Sequence, residues 1–150
     1  MAFFDRATGK PATSSQIAKD YRRVSNAAGP GHNYGAGYFR RFTQLEISRE
    51  TADALMYQVL DEKVSGLKTA FPDFETYPEE AQMALVDMAY NLGVQGIVTN
   101  FLSFTRAVRN RNWTGAANQS NRYQLFDERN QFVYDLLVEA QQVEAAKEEE

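Results

Sequence analysis

Few side chains in this sequence combine reactive chemistry with a suitable setting, and the carboxylates are the main candidates. The chain of 150 residues has no cysteine and a single histidine, His32. Thiolate chemistry is therefore excluded, and a zinc site would need carboxylates for nearly all of its ligands. We predict no metal site and no cofactor.

Two carboxylates have a setting that suits proton transfer. Asp87 lies in a nearly apolar segment, and burial favours the neutral form of a carboxyl group; the alternative is that it accepts hydrogen bonds from an arginine or a helix N-terminus. Glu46 is the first carboxylate in sequence after the glycine-rich loop that ends at Gly37, and we name it as the candidate catalytic acid. Apart from Glu46, the catalytic residues remain unassigned.

Other polar residues have simpler explanations. Glu50, Glu79 and Glu80 lie in predicted first turns of helices, where a negative charge complements the helix dipole. His32 lies in a glycine-rich loop without an identifiable partner for base catalysis. None of these four residues requires a catalytic interpretation.

A helix buried on all sides is predicted for residues 81–92, because nearly every position there is apolar. Pro78 stands at its start and Gly93 just past its end, the usual positions for these residue types. Residues 93–99 are predicted to form a corner. Side chains from other helices are expected to pack around this central helix: Leu55, Val59, Phe101, Phe104, Trp113 and Phe132.

Polar caps predict where several other helices begin. Thr13–Gln16 and Thr76–Glu79 have the spacing of capping boxes. Ser48 and Asn112 are predicted to cap the helices that follow them. No repeat and no long alternating pattern is present, so the predicted fold class is mainly α.

Composition sets broad limits on function. A hydrophobic content of 43% is typical of a globular protein, and a net charge of -4 argues against a dedicated nucleic-acid binder. We predict no membrane span and see no signal peptide. Phe3 and Phe4 follow the start almost at once, so we expect the chain to begin inside a larger fold.

The order of several segments resembles the phage-type lysozymes. Residues 45–52, Leu-Glu-Ile-Ser-Arg-Glu-Thr-Ala, resemble the opening of the long helix between the two lobes of that family. Residues 84–93 resemble its central helix, and residues 111–117 resemble its Arg-Trp-x-x-Ala-Ala segment. Residues 4–13 resemble an insertion in members attached to secretion effectors and phage tail proteins.

This resemblance implies a peptidoglycan muramidase domain with a lysozyme-like helical lobe around the central helix. The family's catalytic glutamate precedes the matched region, so the chain alone is expected to be inactive; the alternative is a non-catalytic binding or interaction module. The predicted segments are a partial N-terminal piece at 1–37, the helical domain at 38–144 and an acidic tail at 145–150.

The resemblance also implies a glycan-binding surface, because amide side chains hydrogen-bond sugar hydroxyl and N-acetyl groups. The alternative is a solvated basic face. The candidate substrate-binding residues are Asn91, Gln95, Arg122, Arg129 and Asn130.

The implied partners are peptidoglycan strands, and the missing N-terminal piece and an immunity protein are further candidates. We expect neither nucleic acid nor a membrane as a partner. The protein would be made in the cytoplasm and act in the periplasm or at the cell wall.

Overall fold

A computed structural model describes residues 2–29 and 34–148, and the chain divides into two compact units, Met1–Tyr57 and Gln58–Glu150. The glycine-loop prediction at 30–33, which includes His32, lies outside the described residues. The segment boundaries predicted at 37/38 and 144/145 remain predictions.

The first unit is built on a two-stranded antiparallel ladder. Strand β1 (Phe4–Asp5) pairs with β2 (Leu45–Glu46), with Phe4 opposite Glu46 and Asp5 opposite Leu45. The Asp5 carboxylate accepts hydrogen bonds from the backbone N–H groups of Ala7 and Thr8, over 2.9 and 3.0 Å. These bonds close the turn after β1.

Helix α1 (Ser14–Ala28) begins at the predicted capping box. The Thr13 hydroxyl accepts from the Gln16 N–H, and the Gln16 side chain accepts from the Thr13 N–H. Tyr21 of this helix is 73% exposed, and the polar Asp20 is its buried residue. The short helix α2 (Ala36–Phe39) follows.

Helix α3 (Arg49–Ala70) begins at the predicted Ser48 cap, whose hydroxyl accepts the Thr51 N–H over 3.1 Å. A 3-10 helix (Phe74–Thr76) follows it. The capping box predicted for Thr76–Glu79 is wrong, because the Thr76 hydroxyl donates to the Asp73 carbonyl and accepts from Arg111 instead.

Helix α4 (Glu79–Asn100) is the centre of the second unit, as predicted, and Leu85 and Met88 are fully buried in its core. Gly93 interrupts it with φ 71° and ψ 152°. The corner predicted for residues 93–99 is wrong, because the chain resumes as a helix after this single kink. Ile97 is buried in the same core, and this packing stabilises the second half of the helix.

Three further helices share the core of the second unit with α4: α5 (Leu102–Arg109), α6 (Trp113–Asn118) and α7 (Asp127–Glu148). Phe104 and Trp113 are buried as predicted, and Asn112 caps α6. Phe132 is 49% exposed, so its predicted core position is wrong. The stripe that α7 buries consists of Val133, Leu136, Leu137 and Ala140.

Within the described residues, no helix has both the length and the hydrophobicity needed to cross a membrane. Helix α7 continues to Glu148, through part of the segment predicted as an acidic tail. Ala145, Ala146 and Lys147 are exposed there.

Candidate functional site

The candidate site in the second unit is organised by Asp87, near the middle of α4. Arg122 Nη1 donates to Asp87 Oδ1 over 2.7 Å, and Arg129 Nη2 donates to Asp87 Oδ2 over 3.0 Å. Both carboxylate oxygens therefore accept a charge-assisted hydrogen bond, of the strong kind. The predicted alternative, in which Asp87 accepts from an arginine, is the arrangement observed.

Arg122 is 3% exposed although it lies in an irregular segment. Its Nε donates to Asn130 Oδ1 over 3.2 Å, and its Nη2 donates to the Arg129 carbonyl over 3.2 Å. Two hydrogen bonds to the Arg122 backbone reinforce the contact. The Arg122 N–H donates to Asn130 Oδ1, and Asn130 Nδ2 donates to the Arg122 carbonyl, each over 3.0 Å. A buried cation that is paired and hydrogen-bonded in this way avoids the cost of an isolated buried charge.

Arg122 also fixes one wall of a small pocket of about 290 Å³. We call it the amide pocket because Asn91 and Gln124 face it together with two aromatic rings. The Asn91 side chain donates to the Asp87 carbonyl over 3.0 Å, so its amide is oriented by its own helix. The lining residues are Asn91, Leu92, Phe101, Arg122, Tyr123, Gln124 and Leu125.

Arg129 and Asp87 border a second depression, an open groove of about 700 Å³. Its walls include the exposed apolar side chains Met83, Tyr90 and Phe132. The prediction that this helix is buried on all sides is wrong on this face, because Met83 and Tyr90 are 54% and 56% exposed.

The five predicted substrate-binding residues thus fall into two groups. Arg122, Arg129 and Asn130 are in direct contact, and Asn91 joins them through Asp87 and the amide pocket. Gln95 is exposed on the second half of α4, where its carbonyl accepts from Thr99, and it is not among the side chains that line the amide pocket.

Sequence reasoning missed Tyr123 and Gln124 as pocket residues. Tyr123 is 96% exposed, and the sequence signal that could have identified it is an aromatic residue within the polar, irregular segment before α7. The position of Gln124 in the pocket follows from the burial of Arg122 two residues earlier, which no local pattern indicates.

Glu46, the candidate acid, lies in the first unit. It is exposed on β2, opposite Phe4. Glu50 lies in the first turn of α3 and Glu79 and Glu80 in that of α4, the positions that helix-dipole complementation predicts.

Two carboxylates, the buried Asp20 and the partly buried Glu144, are held by hydrogen bonds that favour their ionised forms. Burial acts to raise the pKa of Asp20, but hydrogen bonds from Thr43, the Gln44 N–H and Arg23 outweigh it and lower the pKa. Burial likewise acts to raise the pKa of Glu144, and hydrogen bonds from Arg111 and the Trp113 indole lower it below its ordinary value.

The mainly α fold around α4 is that of a lysozyme-like helical domain. The Phage lysozyme family model matches residues 13–144, most of the chain. The chain belongs to the phage lysozyme family, a family of peptidoglycan-degrading domains that act on the cell wall, and the predicted resemblance is confirmed. No curated protein and no solved structure matches it.

Proposed function

We propose that the second unit binds the glycan strand of peptidoglycan in a muramidase-type domain whose catalytic acid lies outside the described residues. The amide pocket beside the Arg122–Asp87 pair is the observation that carries the proposal. Pockets of this kind use a few fixed polar groups to orient a ligand and apolar or aromatic walls to bury it. Asn91 and Gln124 supply the polar groups, and Phe101 and Tyr123 supply the walls.

The environments of the carboxylates support the second half of the proposal. A glycosidase general acid must stay protonated near neutral pH, which requires a raised pKa. The lowered pKa values of Asp20 and Glu144 are the opposite of that requirement. Asp87 has both oxygens engaged by arginines, and Glu46 is exposed.

The same environments favour a second candidate, a non-catalytic lysozyme-fold module that binds glycan. The two candidates share the binding site and differ in whether a catalytic segment accompanies it. The reading frame upstream of Met1 in the encoding genome separates them. For either candidate we propose action in the periplasm or at the cell wall. The biological role would be phage lysis of the host or the antibacterial activity of a secretion effector.

A titration with an uncharged chitin oligomer, followed by NMR of the amide groups, tests the binding site. Signals of Asn91, Arg122 and Asn130 should shift with a dissociation constant of about 1 mM. Gln124→Ala should weaken this binding, whereas Gln142→Ala, which removes an exposed amide from α7, should leave it unchanged. Shifts confined to Gln95, or an equal effect of both variants, would place the site elsewhere.

Clearing of a purified peptidoglycan suspension tests the catalytic half. The chain of 150 residues should give no clearing, and Glu46→Gln should behave identically. Clearing that Glu46→Gln abolishes would instead establish Glu46 as the acid.

A further inference from the structure

The two units carry opposite net charges, which the whole-chain value conceals. Residues 1–57 contain eight Arg and Lys against five Asp and Glu, whereas residues 58–150 contain eight against fifteen. The corresponding net charges are +3 and -7. A locally basic surface attracts polyanions even when the whole protein is acidic, because charges farther away than about 10 Å are screened at physiological salt.

Three exposed arginines of the first unit, Arg6, Arg40 and Arg41, form what we call the arginine patch. The Arg6 N–H donates to the Gln44 carbonyl over 2.9 Å, extending the strand ladder, and Arg6 Nη1 lies 3.5 Å from the Arg40 carbonyl. These contacts bring residue 6 beside residues 40 and 44, so the patch combines charges from distant parts of the sequence.

Arg41 is held in place by aromatic rings. Its guanidinium carbon lies 4.2 Å from the centre of the Tyr38 ring and 5.1 Å from that of Phe42. Tyr34 stacks on Tyr38 with 3.9 Å between ring centres. Two partners so close to one ring centre must occupy its two faces, so Tyr38 offers no free face on which a nucleic-acid base could stack.

The carboxylates near the patch leave its charge largely uncompensated. Asp20 is paired with Arg23 over 2.7 Å, and Asp5 is engaged by its own turn. Glu46 is a diagonal neighbour of Arg6 across the ladder, a separation of about 7–8 Å. Among the described residues, no ion pair joins Arg6, Arg40 or Arg41 to a carboxylate.

We propose that the arginine patch binds a phosphate-bearing polymer of the cell envelope, a chain of polyols linked by phosphodiesters. Arginine suits phosphate better than lysine does, because its planar guanidinium donates two parallel hydrogen bonds to phosphate oxygens. Such a site would hold the domain on the wall while the second unit binds glycan. It is independent of the glycan site, since chitin oligomers carry no charge.

Binding of labelled poly(glycerol phosphate) to the full chain, measured by fluorescence anisotropy, tests the proposal. With about three phosphate contacts, the binding constant should fall roughly twentyfold between ~50 and ~200 mM salt. Arg40→Gln with Arg41→Gln should weaken binding roughly tenfold at the lower salt concentration. The matched control, Arg106→Gln with Lys147→Gln, removes two exposed charges from the second unit and should have no effect.

A gain-of-binding variant guards against loss through misfolding. Glu46→Gln removes a carboxylate that lies diagonally across the ladder from Arg6, and it should tighten binding about twofold. Absence of binding at ~50 mM salt, or equal losses in the two double variants, would overturn the proposal. Equal binding of polyglutamate would overturn phosphate recognition, and tighter binding of single-stranded DNA would assign the patch to nucleic acid instead.

Discussion

Arg122 and Asp87 are joined by a 2.7 Å bond across 35 residues of sequence, between the loop before α7 and the middle of α4. The Arg122 side chain is 2% exposed and that of Asp87 is 17% exposed. This bond fixes the loop that carries Tyr123 and Gln124, so the shape of the amide pocket depends on an ion pair that is itself largely sheltered from solvent.

Arg122→Met should therefore lower the free energy of unfolding by about 3–5 kcal/mol, because it leaves Asp87 without its buried partner. Urea denaturation of the variant and of the parent protein measures the difference. Arg106→Met, at an exposed position on α5, should change stability by less than about 0.5 kcal/mol. A loss below about 1 kcal/mol for Arg122→Met would show that the pair contributes little.

Leu85→Ala tests the central position of α4. Leu85 is fully buried, so the substitution should cost about 2–5 kcal/mol through lost burial and the cavity left behind. Met83→Ala, on the same helix at a position that is 54% exposed, is the matched control and should cost much less. Chemical denaturation with similar losses for both variants would contradict the placement of the helix.

Gly93→Ala tests the kink in α4. Its φ of 71° and ψ of 152° fall in a region that is nearly reserved for glycine, so alanine should cost about 1–3 kcal/mol. Gly96→Ala is the control, because an added Cβ there would meet Leu92 at an ordinary 3.4 Å. That variant should be neutral or stabilising by up to about 1 kcal/mol. Thermal unfolding that ranks the two variants in the reverse order would refute the kink.

Glu144→Gln tests the pH dependence of stability. The folded-state pKa of Glu144 is lowered from 4.5, so its contribution is present above the unfolded-state pKa and is lost as pH falls through the folded-state pKa. The variant should therefore lose stability at about pH 7 and match the parent at about pH 2. Glu139→Gln, an exposed position on α7, should show no such pH-dependent difference, and a constant difference for Glu144→Gln would contradict the prediction.

The residues at which helices begin could be predicted from sequence, because an N-cap side chain acts over only three or four residues. Thr13, Ser48 and Asn112 each begin the helix that their spacing predicts. Thr76 fails for a tertiary reason, since Arg111, distant in sequence, engages its hydroxyl over 3.0 Å. A cap can be predicted only where no remote group competes for the same oxygen.

The predicted site residues were gathered by family resemblance and by the clustering of amides and arginines, which together identify a region rather than roles. Arg111 illustrates the limit. It opens the segment that resembles the family's Arg-Trp-x-x-Ala-Ala motif, but the motif does not indicate its partners: its Nε donates to Glu144 over 2.6 Å and its Nη1 donates to Thr76. In this structure its ion pair with Glu144 links α7 to the segment that precedes α6.

The sequence by itself determined the mainly α class, the central position of α4 in the core and the family, because each depends on the local pattern of apolar residues and on the order of short segments. The tertiary structure decided which polar side chains pair with one another inside the protein and which face solvent. Arg122 with Asp87, and Arg111 with Glu144, are separated by 35 and 33 residues. Such pairs form only when helices pack, because the energy that selects them comes from burial and direct contact rather than from spacing along the chain.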